Sequence, residues 1–209
     1  MTSPRVELLD LDAAHAAAER VGIPAQMAEL SVFRALLGHE EVAAALNGLL
    51  HQLLWNGILE PRLRELLIMR IGWVRGSDYE WTQHWRVARL FEIPEEHLLA
   101  VRDWERSGCF DRTDRAVLAA TDETLEYGFI SAPTWAELDA TLDPRARIEV
   151  VIAIANWSMF AQLLRSLAIP LEEGTQSWPP DGRPAPAALL DPPSRVGATP
   201  ARRARKAAP

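Results

Sequence analysis

Glu80 and His84 stand four residues apart in the stretch EPRLRELLIMRIGWVRGSDYEWTQHWRVARLF, which spans 60–91. On a helix that spacing puts both side chains on one face, near enough to touch. A histidine beside a carboxylate suits general acid–base work, because burial and mutual charge can bring both groups toward neutral pH. Glu65 lies before a break at Gly76 and joins the pair only if the helices flanking that break fold back on each other. The candidate catalytic set is therefore His84, Glu80 and Glu65. Around it stand groups able to hold a substrate: the hydroxyls of Ser77 and Tyr79, the apolar wall of Trp81, and Arg70 and Arg75 as bidentate partners for a carboxylate.

Each assignment has a structural alternative. Ser77 and Glu80 are spaced as a capping box, in which the glutamate only satisfies free backbone donors. Glu80 and His84 also fit a solvated helix pair, and Glu65 fits a salt bridge to an arginine such as Arg62. Trp73, Trp81 and Trp85, at helical spacings, suit a core or subunit contact as well as a pocket. With three possible ligands at most, the set calls for no metal, and no cofactor is expected. His51 has no partner at ligand spacing and reads as a packed or hydrogen-bonded side chain. Cys109 has no histidine nearby and is not expected to act as a nucleophile.

The elements that must position these groups are helices. Apolar residues recur at three- and four-residue spacings over 11–21, 25–37, 40–55, 61–75, 112–127 and 144–167. Further helices are expected from Ser77 to Ile93, from Pro94 to Trp104, and from a capping box at Thr134 and Glu137 to Leu142. Pro61 suits the first position of its helix, and Gly76 a left-handed stop. No two-residue alternation of strand type is present, so the fold class is all-α. LEPRLRELL at 59–67 echoes LDPRARIEV at 142–150, and FEIPEE at 91–96 echoes LAIPLEE at 167–173. In that echo Glu65 aligns with Ile148, a polar residue in one copy against an expected core residue in the other.

The totals bound the function. A chain of 209 residues with 48% hydrophobic residues supports one main domain, taken as 1–174, and a Pro/Ala/Arg-rich tail over 175–209 that is either extended or disordered. A net charge of −7 argues against a nucleic-acid surface. The single cysteine excludes a disulfide scaffold, and acids near the start leave no readable secretion signal. The apolar run 148–164 is broken by Glu149, Asn156, Ser158 and Gln162, so it reads as a buried helix rather than a membrane span. A cytoplasmic protein with a small-molecule substrate, and neither nucleic acid nor membrane as partner, is expected.

From Ala25 to Gly174, Pro61–Arg70 with Glu65, the Gly76 turn, YEWTQH at 79–84 and the closing IPLEEG resemble the alkylhydroperoxidase D-like / carboxymuconolactone decarboxylase family. The resemblance implies a compact bundle of repeated helix pairs that assembles into a homo-oligomer, a trimer or hexamer, with sites near subunit contacts. In the peroxidase branch a CxxC pair stands where this chain has Ser77 and Glu80, so dithiol peroxidase chemistry is not expected. The decarboxylase branch carries a Glu-x-x-x-His element, matched by Glu80 and His84. It implies a cofactor-free lyase that protonates a small lactone acid as its carboxylate leaves, with His84 as acid/base, Glu80 orienting it and Glu65 completing a relay. An isomerase or hydrolase of a biosynthetic intermediate, or a non-catalytic oligomeric binding protein, remains the alternative.

Overall fold

The computed structural model describes residues 3–177 and 183. Apart from 175–177 and 183, the expectation for the tail falls outside the described residues. The described chain forms ten α-helices and one 3-10 helix: α1 (Leu11–Val21), α2 (Ala25–Ala28), α3 (Ser31–Leu36), α4 (Glu40–Trp55), α5 (Pro61–Arg75), α6 (Asp78–Leu90), α7 (Glu95–Ala100), the 3-10 helix (Val101–Arg106), α8 (Arg112–Tyr127), α9 (Ala132–Thr141) and α10 (Pro144–Leu167). No strand occurs among the described residues, as the all-α reading expects.

The α5–α6 hairpin is the centre of the arrangement. Pro61 opens α5 where its missing N–H costs nothing, and Gly76 closes it at φ 61°. The Ser77 N–H then donates to the Gly72 carbonyl at 2.8 Å, the bond that reverses the chain straight into α6. Gly72 lets the helices approach: a Cβ there would lie 3.2 Å from the Trp81 backbone nitrogen. Because α5 packs against α6, α8 and α10, it is buried on nearly every side. Leu63, Leu67, Ile68 and Ile71 join the large apolar cluster built with α1 to α4 and α10, while Leu66, Met69 and Trp73 join a second one with Trp81, Trp85 and Trp104.

Two charged rungs hold α5 against α8. Arg62 pairs with the buried Asp114, with Nη2 and Oδ2 2.8 Å apart, and Arg70 grips Asp122 at 2.6 and 2.8 Å. Both pairs span 52 residues, so the two helices run parallel in register.

The internal echo has a backbone counterpart. Glu92 and Ala168, each preceding an Ile-Pro pair, are the two non-glycine residues at positive φ among those described. The Ile93 and Ile169 N–H groups each donate five residues back, to Ala88 and Leu164, closing α6 and α10 by the same device. Ile148 departs from expectation. It is 59% exposed while Glu65 is fully buried, because α5 is surrounded and α10 buries one face only. Although α10 is long and apolar enough to cross a membrane by length and composition, its inner face, with Val150, Ile154 and Trp157, packs into the core.

Three helices differ from the sequence reading. The expected helix over 25–37 divides into α2 and α3 at an extended Leu30, since the Ser31 N–H donates to the Glu172 carboxylate at 2.9 Å instead of continuing a helix. The helix expected through Trp104 turns into the 3-10 segment after Ala100, with Asp103 at non-helical φ −140°, ψ 50°. Ser131, rather than Thr134, caps α9, and Glu137 turns outward to Arg112 at 2.6 Å.

Glu172 ties the segment after α10 to the rest, since it also accepts from the Tyr79 hydroxyl at 2.5 Å and from the Gln83 amide. Replacing Glu172 with Ala leaves these donors without a charged acceptor and is expected to lower unfolding stability by about 2–3 kcal/mol, measured by urea denaturation.

Candidate active site

Glu65 has no exposed surface, and a carboxylate taken out of water needs partners for both oxygens. It has them. Arg64 Nε donates to Oε1 at 3.0 Å, and the His84 ring meets Oε2 through Nδ1 at 2.7 Å. Arg64 is itself buried, and its Nη1 donates to the Leu54 carbonyl at 3.1 Å, at the end of α4 where a cation is favoured. Its guanidinium also lies 5.4 Å from the centre of the Phe91 ring.

On the other side of the ring, the Trp157 indole N–H donates to His84 Nε2 at 3.1 Å, with the two rings edge to face. An indole nitrogen can only donate, so Nε2 offers its lone pair and the ring proton sits on Nδ1, directed at Glu65. Glu80 Oε2 lies 3.6 Å from the same Nε2.

The capping question for Glu80 resolves in favour of His84. Ser77 caps α6 by accepting from the Glu80 N–H, but the Ser77 N–H is already bound to Gly72, so the Glu80 carboxyl does not close a box. A reciprocal box does form at the start of α8, between Asp111 and Asp114. The freed Glu80 carboxyl is buried. Burial pushes its pKa up, His84 offsets part of that, and the charge of Glu65 adds to it, bringing the group to about 7. For His84, burial favours the neutral ring, but Glu65 by charge and hydrogen bond, with a further contribution from Glu80, outweighs it and raises the pKa.

The structure thus brings Glu65, Glu80 and His84 together from both sides of the Gly76 turn. It directs the expected substrate-binding residues elsewhere. Arg70 is bound to Asp122 and to the Val101 and Arg102 carbonyls, while Arg75 donates to the Leu125 carbonyl. Tyr79 bonds Glu172, Ser77 caps α6, and Trp81 stacks at tilted angles between Trp73 and Trp85. The salt-bridge partner of Glu65 is Arg64 rather than Arg62, which turns to Asp114.

Arg64 and Trp157 were not singled out by sequence reasoning. The available signal for Trp157 is its core-facing position on α10, since a buried indole N–H needs an acceptor. As for metal, both ring nitrogens of His84 are engaged, and among the described residues no group of three His, Cys, Asp or Glu is placed to hold an ion. A separate surface cleft of about 520 Å³, bounded by Trp104, Phe110, Arg112, Arg115 and Glu137, contains none of the three site residues. The site itself opens to solvent mainly at His84, 13% exposed, and slightly at Glu80, 6% exposed.

Comparison with known proteins follows the same lines. Among curated proteins, none matches the chain significantly. Its fold is similar to that of a peroxidase-related protein from Ralstonia eutropha JMP134 described as an alkylhydroperoxidase AhpD core, with a TM-score of 0.67 and 13% identity over 83% of this chain and 94% of that one. A peroxidase-related protein from Silicibacter sp. TM1040 gives 0.66 and 13% over 83% and 95%. The debrominase Bmp8, as a cysteine-to-alanine variant in complex with 2,3,4-tribromopyrrole, gives 0.64 and 16% over 83% and 94%. At these identities the likeness concerns the fold. Residues 40–123, which include Glu65, Glu80 and His84, match the carboxymuconolactone decarboxylase family model.

Proposed function

We propose that the protein is a cofactor-independent, decarboxylase-like enzyme that moves protons on a small lactone or aromatic-derived acid. The observation that carries this reading is the pairing of a base and an acid at one ring edge: His84 Nε2, whose lone pair accepts only the Trp157 N–H, and Glu80 3.6 Å away with a pKa of about 7. Near neutral pH part of the Glu80 population is a carboxylic acid able to donate, and the free-base fraction of His84 can accept at Nε2 when the Trp157 N–H gives way. As the substrate carboxylate leaves as CO2, the electron pair of the broken C–C bond passes into the adjacent conjugated system. The carbon is then protonated from Glu80 or through His84. Glu65, at 2.7 Å from Nδ1, takes the orienting role that the sequence reading gave to Glu80. The match of 40–123 to the carboxymuconolactone decarboxylase family supports the reaction class.

The expected substrate-binding set needs revision within the same proposal. Arg70 and Arg75 reach a substrate only by giving up their present bonds, so the wall nearest His84 is Trp157 with Glu80. Homo-oligomer assembly also belongs to the proposal. It is supported by the exposed apolar stripe of Ile148, Val151, Ile152 and Met159 along α10, which a second copy would cover.

Replacing His84 with Ala is expected to reduce CO2 release from a responsive lactone acid by about 10²- to 10⁴-fold, with helicity by circular dichroism unchanged. Retained turnover would remove His84 from the mechanism. Proton transfer on such an acid without CO2 release would instead favour the isomerase or hydrolase alternative.

The raised pKa of Glu80 also has a stability consequence. A carboxyl that titrates near 7 when folded and near 4.5 when unfolded contributes fully below about pH 4.5, and its contribution is lost as pH rises through 7. Replacing Glu80 with Gln is therefore expected to make the protein more stable than wild type at pH 8, by up to about 3 kcal/mol, with the gap closing at pH 5 in urea titrations.

A further inference from the structure

His84 is held between opposing pulls. Glu65, on α5, faces Nδ1 at 2.7 Å, and Glu80, on α6, faces Nε2 at 3.6 Å, so carboxylates on both edges favour the doubly protonated ring. Arg64, also on α5, opposes this with its positive charge from behind Glu65. α10 brings no charged group to the ring; it brings the Trp157 indole N–H, 3.1 Å from Nε2. That bond exists only while Nε2 is unprotonated, because a protonated Nε2 would set two donors against each other.

We propose that Trp157 is a positioning residue that keeps His84 in its free-base form, with the proton on Nδ1 and the lone pair on Nε2 at the open edge of the site. This rests on the reading of His84 as the acid/base group and adds the residue that selects its protonation state. The Trp157 side chain is buried and its ring stands edge-on to the imidazole at 85°, so the N–H is held in line with one nitrogen. The bond also marks where chemistry begins. When Nε2 takes up the proton that it passes on to the substrate carbon, the indole N–H is released beside the reacting atom and is available to an oxygen on which charge develops.

The test is nitrogen NMR of protein labelled with ¹⁵N in histidine and tryptophan, followed against pH, with the His84 signals identified by their loss in His84→Asn. In the wild type, Nε2 is expected to show the shift of an unprotonated ring nitrogen at pH 8. The Trp157 indole N–H signal is expected to move through the same midpoint as His84. In Trp157→Phe, which keeps an aromatic ring and removes the donor, the His84 midpoint is expected to rise by about half to one pH unit. The acid limb of kcat/KM should rise with it. An unmoved midpoint in Trp157→Phe, or a protonated Nε2 in the wild type at pH 8, overturns the proposal. Should Trp157→Phe fail to fold, the wild-type indole signal decides: one that ignores the His84 titration overturns the proposal as well. The nitrogen readout needs no turnover. A shifted midpoint without any decarboxylation therefore sinks the functional reading alone, and decarboxylation with an unshifted midpoint sinks this one alone.

Discussion

The arrangement depends on one buried carboxylate. Glu65 sits in the second turn of α5, the most enclosed of the described helices, with no exposed surface, and it is tolerable there because a buried guanidinium holds one oxygen and an imidazole the other. Removing either partner would leave an uncompensated charge in the core, so the chain Arg64–Glu65–His84 constrains three elements at once. Arg64 reaches the last carbonyls of α4, Glu65 fixes the face of α5, and His84 fixes the rotation of α6. The Gly76 turn and the close approach at Gly72 let α6 lie near enough to α5 for a 2.7 Å bond.

The remaining members of the site follow from that pair. Once Nδ1 is committed to Glu65, Nε2 is the ring nitrogen left for the proposed proton transfer, and its surroundings determine what it can do. Glu80 and Trp157 compete for it with opposite consequences, a carboxyl that favours a proton there and an indole N–H that excludes one. Glu80, close to Glu65 in a dry environment, holds its own proton up to about pH 7.

Much of this was legible in the sequence where local signals coincide with tertiary demands. The bounds of α1, α4, α5, α8 and α10 follow from caps, prolines and glycines that act within a turn of the helix end, and the Ile-Pro echo marks two helix ends closed alike. The meeting of Glu65 with His84 was legible as a conditional statement, since only a tight hairpin could bring it about. What escaped depends on long-range partners. The break between α2 and α3 is made by Glu172, 141 residues away from Ser31. Arg64, rather than Arg62, pairs with Glu65 because Asp114 of α8 claims Arg62. Trp157 looks like any core aromatic until α10 is laid against α6, and Ile148 looks like core although α10 turns that face outward.

The central claim is that a neutral carboxylic acid and an oriented imidazole coexist at this site near neutral pH. Infrared difference spectroscopy across a pH titration tests it most directly, because the stretch of a protonated carboxyl is distinct from that of a carboxylate. A buried protonated-carboxyl band is expected at pH 6, disappearing with a midpoint of about 7 and missing from the Glu80→Gln protein. A spectrum with no such band at pH 6, or one unchanged by Glu80→Gln, would contradict the claim.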